Sequence, residues 1–173
     1  MLIKQTELVS LKENKVTLVK NFFSLGKKYD FNLLSQLMEE NEIEVDAKTQ
    51  IKNLKDVFQM YDVTNYLPEF KILNDFLSKL LKYEKDVRDN LRKVDLFFSF
   101  ISQTGNSHVD AEDVFIFGLK GRTIYRVFDD VNENYIVEEG DMIFIPRGIK
   151  HKVIGLTPRI VASIGFFGKR NNG

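Results

Sequence analysis

The stretch Gly140-Asp-Met-Ile-Phe-Ile-Pro146-Arg-Gly148-Ile-Lys-His151 decides how this chain reads. A glycine turn leads into four apolar residues, Met142 to Ile145, too few for a helix and bounded by turn-formers on both sides. That is the pattern of a buried strand. The Pro146-x-Gly148 bend then delivers His151 to the start of the next strand. The chain has only two histidines, and the other lies in Gly105-Asn-Ser-His108-Val-Asp110. In an extended segment side chains alternate, so His108 and Asp110 share a face. An imidazole and a carboxylate so placed can grip one ion, and His151 completes a set of two imidazoles and one carboxylate. With positions left open, that set is the facial triad suited to Fe(II) or another divalent metal. The alternative at this point is a pair of ordinary hydrogen-bonded or surface histidines.

Around these residues the chain from Val94 onward is written in short β-branched and aromatic runs. They are Asp95 to Ile101, Asp113 to Phe117, Thr123 to Phe128, Tyr135 to Val137, Asp141 to Ile145 and Arg159 to Phe167. Gly, Asn, Asp and Pro punctuate them at regular intervals, which predicts a sandwich or barrel. The first ninety residues have a different pattern, rich in Lys, Glu, Asn and Leu. From Pro68, the residues Phe70, Leu73, Phe76, Leu77, Leu80 and Leu81 fall at three- and four-residue spacing and predict a helix, with Pro68 in its first turn. Leu33, Leu34 and Leu37 predict a shorter helix at about 31–40, and Lys15 to Phe22 a short strand entering the barrel's edge. The mixed-charge run Lys82 to Lys93 reads as an exposed helix end laced with ion pairs. Phe97, Phe98 and Phe100 are expected in the core. The expected fold is α+β, with a mainly helical region 1–93 packed on a β-barrel at 94–169 and a tail at 170–173.

Composition narrows the chemistry. The chain has 173 residues, 43% of them hydrophobic, with fifteen Phe, six Tyr and no Trp. Twenty-five basic residues balance twenty-five acidic ones, so nothing in the charge favours nucleic acid or an anionic membrane. Cysteine is absent, which excludes disulfides, thiolate metal sites and a thiol nucleophile. Any metal must sit on imidazole, carboxylate or water. The N-terminal stretch carries Lys4, Glu7, Lys12 and Glu13 and does not read as a signal peptide, and no apolar run approaches a membrane span. A soluble, cytoplasmic protein is expected.

At the histidine segments the sequence resembles the cupin superfamily and, within it, the Jumonji-C (JmjC) type of 2-oxoglutarate oxygenases. The cupin pattern G-x5-P-x-G-x2-H-x3-N runs from Gly140 through Pro146, Gly148 and His151, with Gly155 where the pattern has Asn. The segment from His108 through Asp110 and Asp113-Val-Phe to Gly118 and Gly121 is closer to the JmjC pattern H-x-D-x-x-D-V-F than to the H-x-H of ordinary cupins. The similarity covers about 94–167. It implies a double-stranded β-helix (the cupin, or jelly-roll, barrel), with Fe(II) on His108, Asp110 and His151 and 2-oxoglutarate as co-substrate.

The resemblance also implies a basic residue for the far carboxylate of 2-oxoglutarate, on the strand after Gly121. Thr123 stands there, and a hydroxyl cannot supply a bidentate charge-assisted contact. Arg159, at the start of the last strand, is the favoured substitute, against the competing reading of a solvated strand-start arginine after Pro158; Arg122 is expected to face outward, and Lys120 reaches inward only if the turn before Gly121 bends. Tyr125 shares the face of Thr123 and reads equally as a hydrogen-bond donor to a bound acid or as a core aromatic; Thr123 with Arg159 or Tyr125 is expected to hold the co-substrate, and Val114, Ile116 and Gly118 are expected along the lumen. Gly118 marks either room for a ligand or, more safely, a bulge. Glu112 and Asp113 are candidate partners for an imidazole N–H or simply solvated, and Ser163 is a candidate pocket hydroxyl. The reading is therefore an Fe(II)- and 2-oxoglutarate-dependent oxygenase acting on a small molecule or a protein side chain. Its rivals are a metal-binding cupin that does not use 2-oxoglutarate and a non-catalytic ligand-binding cupin. Dimers are common in similar proteins, and the aromatic-rich strands offer a surface for a homodimer.

Overall fold

A computed structural model of the chain describes residues 3–24, 29–41, 57–84, 94–129 and 132–170. The elements in order are α1 (Gln5–Lys12), β1 (Thr17–Val19), α2 (Phe31–Asn41), β2 (Phe58–Met60), a 3-10 turn at Val63–Asn65 and α3 (Pro68–Leu80). Strands then follow one another: β3 (Val94–Ser99), β4 (Gln103–Thr104), β5 (His108–Val109), β6 (Asp113–Lys120), β7 (Thr123–Phe128), β8 (Asn132–Val137), β9 (Met142–Ile145), β10 (Lys150–Gly155) and β11 (Arg159–Phe166). They form a six-stranded sheet in the order β1-β9-β6-β11-β3-β2 and a second sheet in the order β4-β10-β7-β8, with β5 also paired to β10.

Strand β6 shows why two layers arise. Its residues alternate between two cores, as period-2 side chains must when both faces are covered. Phe115, Phe117 and Leu119 belong to a large cluster that also holds Leu11, Leu34, Leu37, Phe70, Leu73 and Leu77 from the three helices. Val114 and Ile116 point the other way, into a smaller cluster with Tyr125, Val137, Ile143, Ile145 and Val161. Strand β9 repeats the division, with Met142 and Phe144 outward and Ile143 and Ile145 inward. The helices thus cover the outer face of the six-stranded sheet, and its inner face looks across at the second sheet.

The helix expected from Pro68 is α3, entered with proline in its first turn and burying Phe70, Leu73 and Leu77. The shorter helix is α2. The strand expected at Lys15 to Phe22 is β1, three residues long, and it does lie at the sheet edge, paired to β9 through Leu18↔Ile143. Gly118 sits at a register break: Val161 pairs with Gly118 and Ile160 with Lys120, leaving Leu119 as the extra residue of a bulge. A Cβ at Gly118 would lie 2.1 Å from the Glu138 carbonyl oxygen, so the glycine admits a backbone rather than a ligand. Phe100 departs from expectation. It lies just past the end of β3 and is 40% exposed, in ring contact with Phe31, Phe58 and Phe98. Of the charged run Lys82 to Lys93, residues 85–93 lie outside the described residues; Tyr83, at its start, is buried and stacks on Phe166. No helix among the described residues is long and apolar enough to cross a membrane.

Candidate metal centre and cavity

His151 is the second residue of β10 and pairs directly with His108 of β5 on one side and Val127 of β7 on the other. The two imidazoles are cross-strand neighbours with ring centroids 4.3 Å apart. Asp110 follows β5, and its carboxylate lies between them, 3.8 Å from His108 Nε2 and 3.6 Å from His151 Nε2. One donor atom from each of the three falls within 4.8 Å of the others. Coordination at about 2.0–2.2 Å then needs a modest inward rotation, which His108, half-exposed, is free to make.

The backbone sets which nitrogen of each ring is available. Nδ1 of His108 lies 3.2 Å from the carbonyl oxygen of Asn106, and Nδ1 of His151 lies 3.1 Å from that of Ile149. A carbonyl only accepts, so each Nδ1 carries the proton, and Nε2, on the side of Asp110, is the nitrogen left for a metal. Ligating histidines are commonly held this way, by a hydrogen bond on the nitrogen away from the ion. His151 is 2% exposed, and burial pushes its pKa below the ordinary histidine value, which favours the neutral, ligating form. Two imidazoles and a carboxylate, with one side open to a cavity, fit a divalent metal of the Fe(II) type.

The bend that delivers His151 is built as the sequence suggests. Gly140 and Gly148 have φ of +87° and +82°, a region where a side chain is strained. The N–H of Gly148 donates to the carbonyl of Asp110 at 3.0 Å, so the segments that carry Asp110 and His151 are joined through backbone.

A cavity of about 680 Å³ runs inward from the triad between the sheets. Tyr125, Arg159 and Ser163 line it, with Val114, Ile116, Val153 and Val161 as apolar walls. Arg159 is not the solvated strand-start residue its position after Pro158 suggests; it is 3% exposed. Its Nε and Nη1 have no hydrogen-bond partner among the described residues. The guanidinium lies over Gly155, where a Cβ would come within 2.9 Å of Nη1. The glycine that replaces the cupin Asn is therefore what makes room for the arginine. Tyr125 is buried beside it, its phenol raised to about 12 by burial, with the Arg159 charge opposing.

Thr123 is buried on the face of Tyr125 and paired with Gly155, but it does not line the cavity. Arg122 faces out and pairs with Glu138, as strand alternation requires. Lys120 and Gly118 do not line the cavity. Neither Glu112 nor Asp113 reaches an imidazole N–H, because backbone carbonyls take both. Glu112 points into the cavity and covers Gly165; burial, with Asp110 and Asp95 nearby, pushes its carboxyl upward. Asp113 is 2% exposed on the opposite face, bonded to Tyr83 and Arg147. Sequence reasoning missed Val57 and Gln59 of the β2 segment and Asp95 of β3 as cavity residues. The three-residue β2 carries no periodic signal, although Asp95 could have been found by alternation from Phe97, which also lines the cavity.

No family model matches the sequence, and no curated protein matches it. Solved structures do. The ribosomal oxygenase YcfD of Escherichia coli superposes with a TM-score of 0.70 at 18% identity, covering 99% of this chain and 53% of that one. A structure of YcfD in complex with cobalt and 2-oxoglutarate gives 0.67 at 18% identity over 91% of this chain and 49% of the other. The non-haem α-ketoglutarate-dependent epimerase SnoN from nogalamycin biosynthesis gives 0.65 at 11% identity, covering 93% and 81%. The chain spans about half the length of the ribosomal oxygenase it matches. At these identities the likeness is one of fold alone: the chain shares the double-stranded β-helix, or jelly-roll, of these structures.

Proposed function

We propose that this chain is an Fe(II)- and 2-oxoglutarate-dependent oxygenase that hydroxylates a C–H bond of a small molecule or a protein side chain in the cytoplasm. The observation that carries the proposal is the pairing of two features in one cavity. Two imidazoles keep Nε2 for a metal beside Asp110, and the buried guanidinium of Arg159 has unpartnered nitrogens further in. An unpaired buried charge is costly, and the carboxylate of a co-substrate held in this cavity would remove that cost. The ribosomal oxygenase neighbour, whose structure holds cobalt and 2-oxoglutarate, and the α-ketoglutarate-dependent neighbour support the same reading.

In this reading His108, Asp110 and His151 hold Fe(II), which with 2-oxoglutarate and O₂ supplies the oxidising chemistry when bound. Arg159 pairs with the far carboxylate, and its fork suits two parallel contacts. Tyr125 stays protonated at neutral pH and offers its O–H to the same carboxylate. Thr123 supports the floor behind Gly155 without touching the co-substrate. Val114, Ile116, Val153 and Val161 keep water from the inner cavity. Gln59, Asp95, Glu112 and Ser163 supply the polar groups a substrate would meet.

The test is anaerobic titration of the Fe(II)-loaded protein with 2-oxoglutarate, following the weak visible charge-transfer band of the chelate. A saturable band in the wild type, lost in His151→Ala and weakened in Arg159→Ala, is the expected result. Metal binding with no band favours a cupin that does not use 2-oxoglutarate. Absence of metal binding rejects both enzyme readings.

A further inference from the structure

The face of β6 turned away from the cavity carries a buried ionic cluster that the proposed chemistry does not use. Asp113 accepts from the backbone N–H of Arg147 at 2.9 Å and from its Nε at 3.3 Å. Its other oxygen accepts from the Tyr83 hydroxyl at 2.8 Å and lies 3.5 Å from Arg170 Nε. The Arg147 guanidinium reaches onward to three consecutive carbonyls near the C-terminal end, Phe166 at 3.0 Å, Phe167 at 2.9 Å and Gly168 at 2.8 Å. Phe167 itself lines the cavity.

The placement of these two residues relative to the triad matters more than their burial. Asp113 is three residues after Asp110, at the first position of β6. Arg147 is the middle residue of the Pro146–Gly148 bend, four residues before His151. The β5–β10 ladder, through His108↔His151 and Val109↔Lys150, and the backbone bond from Gly148 to the Asp110 carbonyl also join these segments. Asp110 itself lies outside the strands, in the turn between β5 and β6, so the ladder holds the backbone beside it and leaves the turn into β6 to other contacts.

We propose that Asp113 and Arg147 form a positioning pair for the metal centre, locking the Asp110 segment to the bend that carries His151 and fastening both to the C-terminal strap at Phe166–Gly168. The inference rests on the metal reading above. Neither side chain touches the ion; both act by holding ligand-bearing backbone in place. Groups that orient ligands from outside the coordination shell typically govern metal affinity by about 10–100-fold. The pair suits that task because Asp113 is buried and the Arg147 guanidinium, 36% exposed, is hydrogen-bonded through Nε, Nη1 and Nη2, a geometry that tolerates little displacement.

The experiment is Co(II) titration of the full chain, reading Kd and the visible d–d bands, beside thermal unfolding of each variant. Asp113→Asn and Arg147→Lys are expected to weaken Co(II) binding about tenfold or more and to alter the band pattern. Arg170→Lys serves as the control. Arg170 touches the same Asp113 but runs to Tyr83 and the Leu11 carbonyl rather than to the bend. It is expected to lower Tm while leaving Kd and bands unchanged. The proposal is overturned if Arg147→Lys binds Co(II) as the wild type does, or if Arg170→Lys weakens binding equally, since general loosening then explains the effect. Should Asp113→Asn fail to fold, Arg147→Lys alone decides the matter. A wild-type protein that binds no Co(II) rejects the metal reading itself and this inference with it.

Discussion

Arg159 and Tyr125 are a charge and a phenol sharing one buried pocket, and each shifts the other. Burial raises the Tyr125 pKa to about 12, while the neighbouring cation pulls it down. The folded state therefore holds the phenolic proton more tightly than the unfolded chain does, whose tyrosines titrate near 10. Stability from this residue is complete below pH 10 and is lost as pH rises from 10 through about 12. Tyr125→Phe removes that dependence. Between pH 10 and 12 the wild type is expected to lose about 2 kcal/mol more stability than the variant, measured by urea unfolding at fixed pH. Equal slopes would mean that Tyr125 is hydrated and not in the pocket described. At this scale the sequence was legible where chemistry and spacing coincide. His108, Asp110 and His151 could be brought together from alternation and the Pro-x-Gly bend alone. Asp113 was not, because its role depends on Arg147 and Tyr83, which strand alternation does not connect to it.

Strand β10 shows how an element divides two tasks along its length. His151 near its start and Gly155 at its end are four residues apart, about 13 Å along an extended chain. The first faces His108 and Asp110, and the second underlies the Arg159 guanidinium. The cupin pattern has Asn where this chain has Gly155, and a side chain there would meet Arg159 Nη1 at 2.9 Å. Gly155→Asn is therefore expected to displace the guanidinium and weaken 2-oxoglutarate binding by about tenfold or more, the value of a charge-assisted hydrogen bond. Co(II) affinity is expected to hold. Titrating both ligands into one preparation separates the two effects. Wild-type 2-oxoglutarate affinity in the variant would remove Arg159 from the co-substrate site. The elements themselves were legible wherever a run was long or strongly periodic, as in α3, β6 and β11. The short α1 has only Leu11 buried, and β2 gains its place by pairing with β3 through Phe58↔Phe98. Both depend on tertiary contacts that no local pattern announces.

Across the whole molecule, the six-stranded sheet separates a core that holds the fold together from a cavity that is open for chemistry. Phe117 lies on the helix side, in ring contact with Phe22, Phe23 and Phe70. Its strand neighbour Ile116 lies on the cavity side. If the sheet is a stiff partition, damage on one side should stay there. Phe117→Leu keeps an apolar residue but forfeits ring contacts and leaves a small void, costing about 1–2 kcal/mol. For a chain of this length that corresponds to a Tm lower by roughly 2–8 °C. The variant's Co(II) affinity and d–d bands, measured well below its Tm, are expected to match the wild type. The opposite pattern from Arg147→Lys, a changed metal site with a smaller loss of Tm, would make the two sides separable in both directions. A fall in Co(II) affinity with Phe117→Leu would instead mean that helix packing sets the spacing between the sheets. The ligand geometry would then depend on the first ninety residues as much as on the barrel that carries it.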